Sequence, residues 1–376
     1  MLKQILKMIA GLLGGAVIGV LIAAVGLVCF TDITIPEFIS KMQSAKFGET
    51  MLAAGIGIAA FAVSTVILIP LHEAGHLVCG LLTGYKFVSF RVFNLTFIKE
   101  EGKMKIKRYS VAGSGGQCLL TPPDIPLDKI PTAWYNFGGV LVNIIVGLIV
   151  VPLLFTDLNP FMREAVVVFL LTDLFFVILN GIPFRINGTG NDAYNMLSLR
   201  KHPVAKLGMI NALRSNALIQ QGMRPKDLPS DWFAIPSSVD YSNGLEVSIP
   251  IMAASRLIDE GNYKDALSRF EDIYTHKKEI LGLFVKEIEC ELVFLYLVCG
   301  NIESAKELLT PELKKYIEAY RKMMSSKERI LFAVSLVLDN DKEAAASIYD
   351  NLLQRKNDYL LQGEVSSDLA IMKSIL

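Results

Sequence analysis

Four long apolar stretches precede residue 190, covering residues 5–30, 51–82, 134–155 and 161–184. A helix that crosses a bilayer needs about 20 predominantly apolar residues. Each stretch approaches that length with few charges, a pattern that soluble core helices rarely show four times in one chain. The mean hydropathy is +0.44, and 52% of the residues are hydrophobic. The first stretch follows Lys3 and Lys7 but is too long for a signal-peptide core, so it reads as an anchor.

Basic residues orient the spans. Lys86, Arg91, Lys99, Lys103, Lys105, Lys107, Arg108 and Lys129 all follow the second stretch, whereas Lys41 and Lys46 alone lie between the first two. The expectation is a multi-pass protein of the cell membrane, with the N-terminus, the segment 84–132 and the C-terminal half in the cytoplasm. Lys+Arg and Asp+Glu number 37 each, which argues against a nucleic-acid binder. The cysteines Cys29, Cys79, Cys118, Cys290 and Cys299 lack metal-type spacing and read as free thiols. At least Cys290 and Cys299 then belong in a reducing compartment.

The second stretch carries the chemistry: Pro70-Leu71-His72-Glu73-Ala74-Gly75-His76. Histidines at i and i+4 share one helical face, so both imidazoles can hold one zinc ion. The glutamate beside the first can move a proton to and from a water that the metal polarises. Ionisable groups at the end of a membrane helix are costly, so a functional role is expected. A catalytic zinc site needs a third protein ligand. His202 and His276 lie beyond the last apolar stretch and read as surface residues. At 1.5 Å per residue, His72 lies about 30 Å along its span and Asp173 only about 18 Å along the fourth. Depth therefore favours Asp192 as third ligand, with Asp173 the alternative or a partner of a ligand. The same reasoning puts Asn143 about 13 Å inside the cytoplasmic end of the third stretch, near the metal.

These elements, HEAGH, then GGVLVN at Gly138–Asn143, then NGIPF at Asn180–Phe184 with Asp192 beyond, resemble the site-2 protease family of intramembrane zinc metalloproteases. The resemblance covers about residues 51–200. It implies a core of three spanning helices, His72, His76 and Asp192 as ligands and Glu73 as catalytic base. It also implies that Asn143 and Asn180 position substrate or its developing oxyanion; Gly139 and Gln117 are further substrate-positioning candidates. The chain departs from the pattern in having Ala193 after the aspartate, and a longer Asn180-to-Asp192 spacing that Asn187–Gly190 would absorb as an extra turn.

Residues 88–99 and 103–111, with Glu100-Glu101-Gly102 between them, read as a β-hairpin. A strand edge near the site would take an extended substrate by main-chain pairing. The basic hairpin would also rest on anionic lipid headgroups. Gly113–Gln117 and Thr121–Pro123 read as loop. Residues 201–246 read as a linker. Beyond it Gly261-Asn262, Gly300-Asn301 and Asp339-Asn340 recur every 39 residues between amphipathic helices. This resembles tetratricopeptide-type repeats, which stack into a grooved solenoid and imply a protein partner or substrate tail.

The expected fold is thus mainly α, with a polytopic metalloprotease domain of about four spans (1–200), a small β-hairpin region, a linker (201–246) and a cytoplasmic helical-repeat domain (247–376). The expected activity is hydrolysis of peptide bonds in or near transmembrane segments, as in regulated intramembrane proteolysis or signal-peptide or pheromone processing. Competing readings are a membrane scaffold with a vestigial metal site, a tethered peptidase for soluble peptides, and a metal transporter. An intact Glu73 speaks against the first. Too few polar residues near the membrane midplane speak against the last.

Overall fold

The computed structural model describes residues 47–100, 103–109, 115–186 and 189–376, together with 34, 36–37 and 40. The first apolar stretch and Cys29 lie outside them, as do Glu101-Gly102, Gly113-Ser114 and Asn187-Gly188 of the expected turns. The described chain is mainly helical with a small antiparallel sheet. It divides into two compact units: residues up to His72 with Gly139–Ile182, and Glu73–Gly138 with Pro183–Leu376.

Helix α1 (Phe47–Leu82) carries the metal motif. Two segments, Met51–Leu82 and Leu127–Phe155, are long and apolar enough to cross a membrane. Along α1, Ser64 and Thr65 return their hydroxyls to the carbonyls of Ala60 and Phe61 (2.6 and 2.9 Å), which removes two polar groups from an apolar face. The helix stops at Gly84, whose φ of +89° is open to glycine. The Gly84 and Tyr85 amides close on Leu81 and Gly80, satisfying carbonyls of the last turn.

In the first unit, α1 up to His72 is joined by the body of α2 (Thr132–Val150) and by α3 (Pro160–Gly181). Asn159 caps α3 by accepting from the Met162 amide at 2.9 Å, with Pro160 in the first turn. Ile58 and Leu148 are exposed on the two segments long and apolar enough to cross a membrane; the expected fourth span, the helix that carries exposed Phe175, is not one of these two. Asp173 is buried, and a Cβ on Gly147 would stand 2.9 Å from its Oδ2. The glycine therefore makes room for the carboxylate.

The second unit opens with a four-stranded sheet of β1 (Lys86–Val92), β2 (Leu95–Glu100), β3 (Lys103–Arg108) and β4 (Gly116–Thr121), in the order β3-β2-β1-β4. Of the expected hairpin, 103–108 pairs with β2, Ile98 opposite Lys105, but the expected strand 88–99 is two strands, β1 and β2, which pair with each other across a turn at Phe93-Asn94. The expected loop at Gly116–Gln117 is instead the start of β4, paired with β1 through Arg91↔Gln117 and Phe90↔Cys118. Cys118, Leu119 and Leu120 are all buried, a continuous apolar run without the alternation that marks a half-exposed strand. The expected linker contains α5 (Pro203–Gln220), which packs on β4 and shares a core with Leu120, Tyr135 and Leu199 through Ala205, Met209 and Ile210. Buried Asn211, Ser215 and Gln220 break its apolar stripe in sequence. Asn211 is satisfied by the Trp232 carbonyl at 2.7 Å.

The helical-repeat region then runs through α6 (Gly244–Asp259), α7 (Tyr263–Thr275), α8 (Gly282–Val298), α9 (Ile302–Leu308), α10 (Pro311–Tyr320), α11 (Ser325–Ala333), α12 (Lys342–Gln354) and α13 (Gln362–Ile375). Gly261 and Gly300 hold φ of +78° and +84°, and the third left-handed turn residue is Asn340 at +52°, not Asp339. A π-turn over Val334–Leu338 inserts one residue, so the third copy sits one position later than its sequence suggests. The buried alanines follow the same register: Ala266, Ala305 and Ala345 are each fully enclosed.

Candidate metal centre

The centre begins where α1 and α2 touch. A Cβ on Gly138 would meet the Gly75 carbonyl oxygen at 2.3 Å, so the bare α-carbon of Gly138 is what lets the backbones approach. That approach sets the Tyr135 carbonyl 2.7 Å from His76 Nδ1. A carbonyl only accepts, so Nδ1 carries the proton and Nε2 keeps its lone pair. Tyr135 is itself pinned: its hydroxyl donates to the Cys118 carbonyl at 2.8 Å, and its ring stacks on Tyr85 at 5.0 Å.

His72 is fixed in the same sense by different atoms. Its Nδ1 lies 2.7 Å from Asn143 Oδ1, and Asn143 Nδ2 donates to Asp173 Oδ1 at 2.7 Å. The carboxylate decides which way the amide points, and the amide decides the imidazole tautomer. Asn143 is fully buried with both ends of its amide engaged. In this arrangement Asn143 links the His72 imidazole to the Asp173 carboxylate. Asp173 acts through Asn143 and is not grouped with the ligand atoms.

Asp192 is the first residue of a short helix α4 (Asp192–Ser198), capped by Asn191, which accepts from the Tyr194 amide at 2.9 Å. Ahead of it, β5 (Arg185–Ile186) and β6 (Thr189–Gly190) pair antiparallel. This pairing brackets the segment where the extra turn is anticipated from the long spacing. By returning the chain so that the Asn191 amide meets the Phe184 carbonyl, it lets the longer segment deliver its aspartate. Asp192 Oδ2 lies 3.4 Å from His76 Nε2.

Ligand atoms of His72, His76 and Asp192 all lie within 4.8 Å of one another. Metal bonds of 2.0–2.2 Å in a tetrahedron place neighbouring donors about 3.3–3.6 Å apart, close to the His76–Asp192 separation. With both Nδ1 atoms hydrogen-bonded elsewhere, the three residues could hold a metal ion.

Glu73 occupies the next position on α1. A Cβ on Gly116 would stand 2.5 Å from Glu73 Cγ and 2.8 Å from its Oε1, so the carboxylate lies directly against the first residue of β4. Arg91, buried in β1, reaches beneath the same place, donating through Nη1 to the Phe93 carbonyl (2.6 Å) and through Nη2 to the Gly116 carbonyl (3.3 Å). Burial pushes the Arg91 guanidinium below its ordinary value, and the negative charge of Glu73 acts in the opposite direction. A sequence reading passes over Arg91 as one of many basic residues. Its signal is a cation among apolar residues on an inward position of a strand.

Asn180 donates to the Phe176 carbonyl of its own helix at 3.2 Å. Gly139 is buried within α2, and Gln117 is exposed on β4. His202 precedes α5, and His276 stacks on Tyr241 at 3.8 Å and meets Glu279 at 3.0 Å, as expected of residues outside the centre. Comparison with protein-family models, with curated proteins and with solved structures finds no match.

Proposed function

We propose that this chain is a membrane-embedded zinc metalloprotease that cleaves peptide bonds in or near membrane-spanning segments, towards the cytoplasmic side. The observation that carries the reading is the conjunction of a two-histidine, one-aspartate donor set with Glu73 adjoining it on an apolar helix. Two imidazoles and a carboxylate suit zinc. Three protein donors are the number that catalytic sites use, whereas structural sites use four. In this proposal the first and fourth apolar stretches also span, with the N-terminus and the repeat domain in the cytoplasm of a cell-membrane protein.

A zinc ion held there would supply Lewis acidity and bring a water near neutral pKa. The Glu73 carboxylate, on the turn between the two histidines, would hold a proton and pass it to a leaving amine. Asn143 with Asp173, and the Tyr135 carbonyl, keep both imidazoles in the tautomer that presents Nε2. β4 ends the sheet order, and Glu73 lies against its first residue. An extended substrate that adds to that edge would therefore run past the base. A membrane helix must unwind to do so, which selects segments that leave their helical form readily.

A vestigial site would have no use for a carboxylate seated against a strand over a buried arginine, which favours catalysis over a scaffold. The test is cleavage of a membrane-inserted reporter in vesicles by the wild type, Glu73→Gln and Asp192→Ala, with bound zinc measured in each. Glu73→Gln is expected to keep zinc and lose cleavage, and Asp192→Ala to lose both. Cleavage by Glu73→Gln overturns the protease reading.

A further inference from the structure

Between α2, the turn that follows it and α3 lies a cavity of about 280 Å³ that the protease reading does not use. Gly147, Leu148 and Val151 line one side, and Val167, Leu170 and Leu174 the other, each set at the spacing of a single helical face. Apolar faces of this kind ordinarily interdigitate. Here Gly147 contributes no side chain, and a Cβ on it would stand 2.9 Å from Asp173 Oδ2.

Asp173 is the one residue with a polar side chain that lines the cavity among the described residues, and it is 3% exposed. Its Oδ1 accepts from Asn143 Nδ2 at 2.7 Å. Its Oδ2 makes no hydrogen bond among the described residues and is not sealed off by protein atoms, so it opens on the cavity that the residue lines. The site is therefore an apolar slot with a single oxygen waiting for a partner.

That combination selects its occupant. Water needs about two to four polar partners, and the slot offers one. A bare hydrocarbon chain fills the volume but leaves the oxygen buried and unmet. An ammonium meets the oxygen but must first be stripped of its own hydration. A hydroxyl costs less to bring in, and it donates to a carboxylate or accepts from a carboxylic acid. A benzene ring fits a cavity of about 150 Å³, so this one has room for a chain of roughly ten carbons.

We propose that this cavity binds a long-chain neutral alcohol from the bilayer, with its chain against Leu148, Val167 and Leu170 and its hydroxyl on Asp173 Oδ2. The bound hydroxyl shares the carboxylate that orients Asn143, which in turn meets His72. The inference takes from the protease reading only the placement of these helices in a membrane.

The experiment is photolabelling of the detergent-solubilised full chain with decan-1-ol carrying a diazirine in its chain, followed by mass spectrometry of the labelled peptides. Label is expected in the peptides that hold Leu148 and Leu170. At equal micellar content, unlabelled decan-1-ol should displace it roughly tenfold more effectively than decyl methyl ether, as one hydrogen bond contributes. Asp173→Leu should abolish that preference, and Leu170→Trp, which fills the slot, should abolish the label. Glu73→Gln should be labelled as the wild type is, so this inference and the protease reading fail separately. No label at these peptides, equal displacement by the ether, or stronger displacement by decylammonium overturns the proposal, as does a preference that persists in Asp173→Leu. Should Asp173→Leu not fold, Leu170→Trp decides: a folded chain that keeps the label overturns the proposal.

Discussion

Asn143 holds His72 through a single 2.7 Å contact between its Oδ1 and the imidazole Nδ1. Asp173 orients that amide from behind, also at 2.7 Å. An outer partner of this kind typically contributes 10–100-fold in metal affinity. Asn143→Ala is therefore expected to weaken zinc binding by about that factor, measured by competition with a chromophoric chelator. Asp173→Asn keeps an oxygen that can accept from Asn143 and should lose less. Wild-type affinity in Asn143→Ala would show that His72 needs no such partner.

Gly116 supplies the space in which Glu73 lies. A methyl group there would come within 2.5 Å of Glu73 Cγ. Gly116→Ala should displace the carboxylate without touching the ligands. A displacement of about 1 Å costs on the order of 100-fold in rate. Reporter cleavage should fall by roughly that factor with zinc content unchanged. Loss of zinc instead would mean that β4 supports the ligands rather than the base.

Glu364 makes the repeat region sensitive to pH. Its carboxyl lies at about 8 in the folded chain against an ordinary 4.5. The folded state therefore holds the proton more tightly, and stability declines as pH rises from about 4.5 to about 8. Glu364→Gln cannot lose a proton at this position. Its melting temperature should exceed that of the wild type by a few degrees at pH 8.5, and the gap should close at pH 5. A gap that widens on acidification would reverse the sign of the argument.

The displaced third repeat gives a packing test. Ala345 is fully buried, as Ala305 is, whereas Ala344 is only half-buried. Enlarging an enclosed alanine typically costs about 1–3 kcal/mol. Ala345→Leu and Ala305→Leu should both destabilise by that amount in thermal or urea unfolding, and Ala344→Leu by less. The reverse order for Ala344 and Ala345 would restore the even 39-residue register.

Much of the centre was legible in one dimension because its information is local. His72, Glu73 and His76 are adjacent on one helix, and helical periodicity places two imidazoles on one face whatever else the chain does. Asp192 could be weighed against Asp173 by counting rise per residue, and Asp192 is the carboxylate found with the histidines. The longer Asn180-to-Asp192 spacing holds the short β5–β6 pairing.

Other features depend on which strand or helix lies beside which. The ends of β4, Gly116-Gln117 and Thr121, read as loop because the Cys118-Leu119-Leu120 run between them lacks the alternation of a half-exposed strand. Helix α5 read as linker because Asn211 and Ser215 interrupt its apolar stripe, and Asn211 finds the Trp232 carbonyl only once the helix is packed. The π-turn that shifts the last repeat leaves a nearly identical motif one residue away.

The sequence by itself determined the residue types that can hold a metal and move a proton, the helix that carries them, and the apolar lengths able to cross a bilayer, since each follows from neighbours along the chain. Only the tertiary structure decided that Asn143 meets His72, that Tyr135 offers His76 a carbonyl, and that Glu73 lies on Gly116. A hydrogen bond between residues 71 positions apart, or a strand seated under a helix, is set by packing that no local pattern encodes.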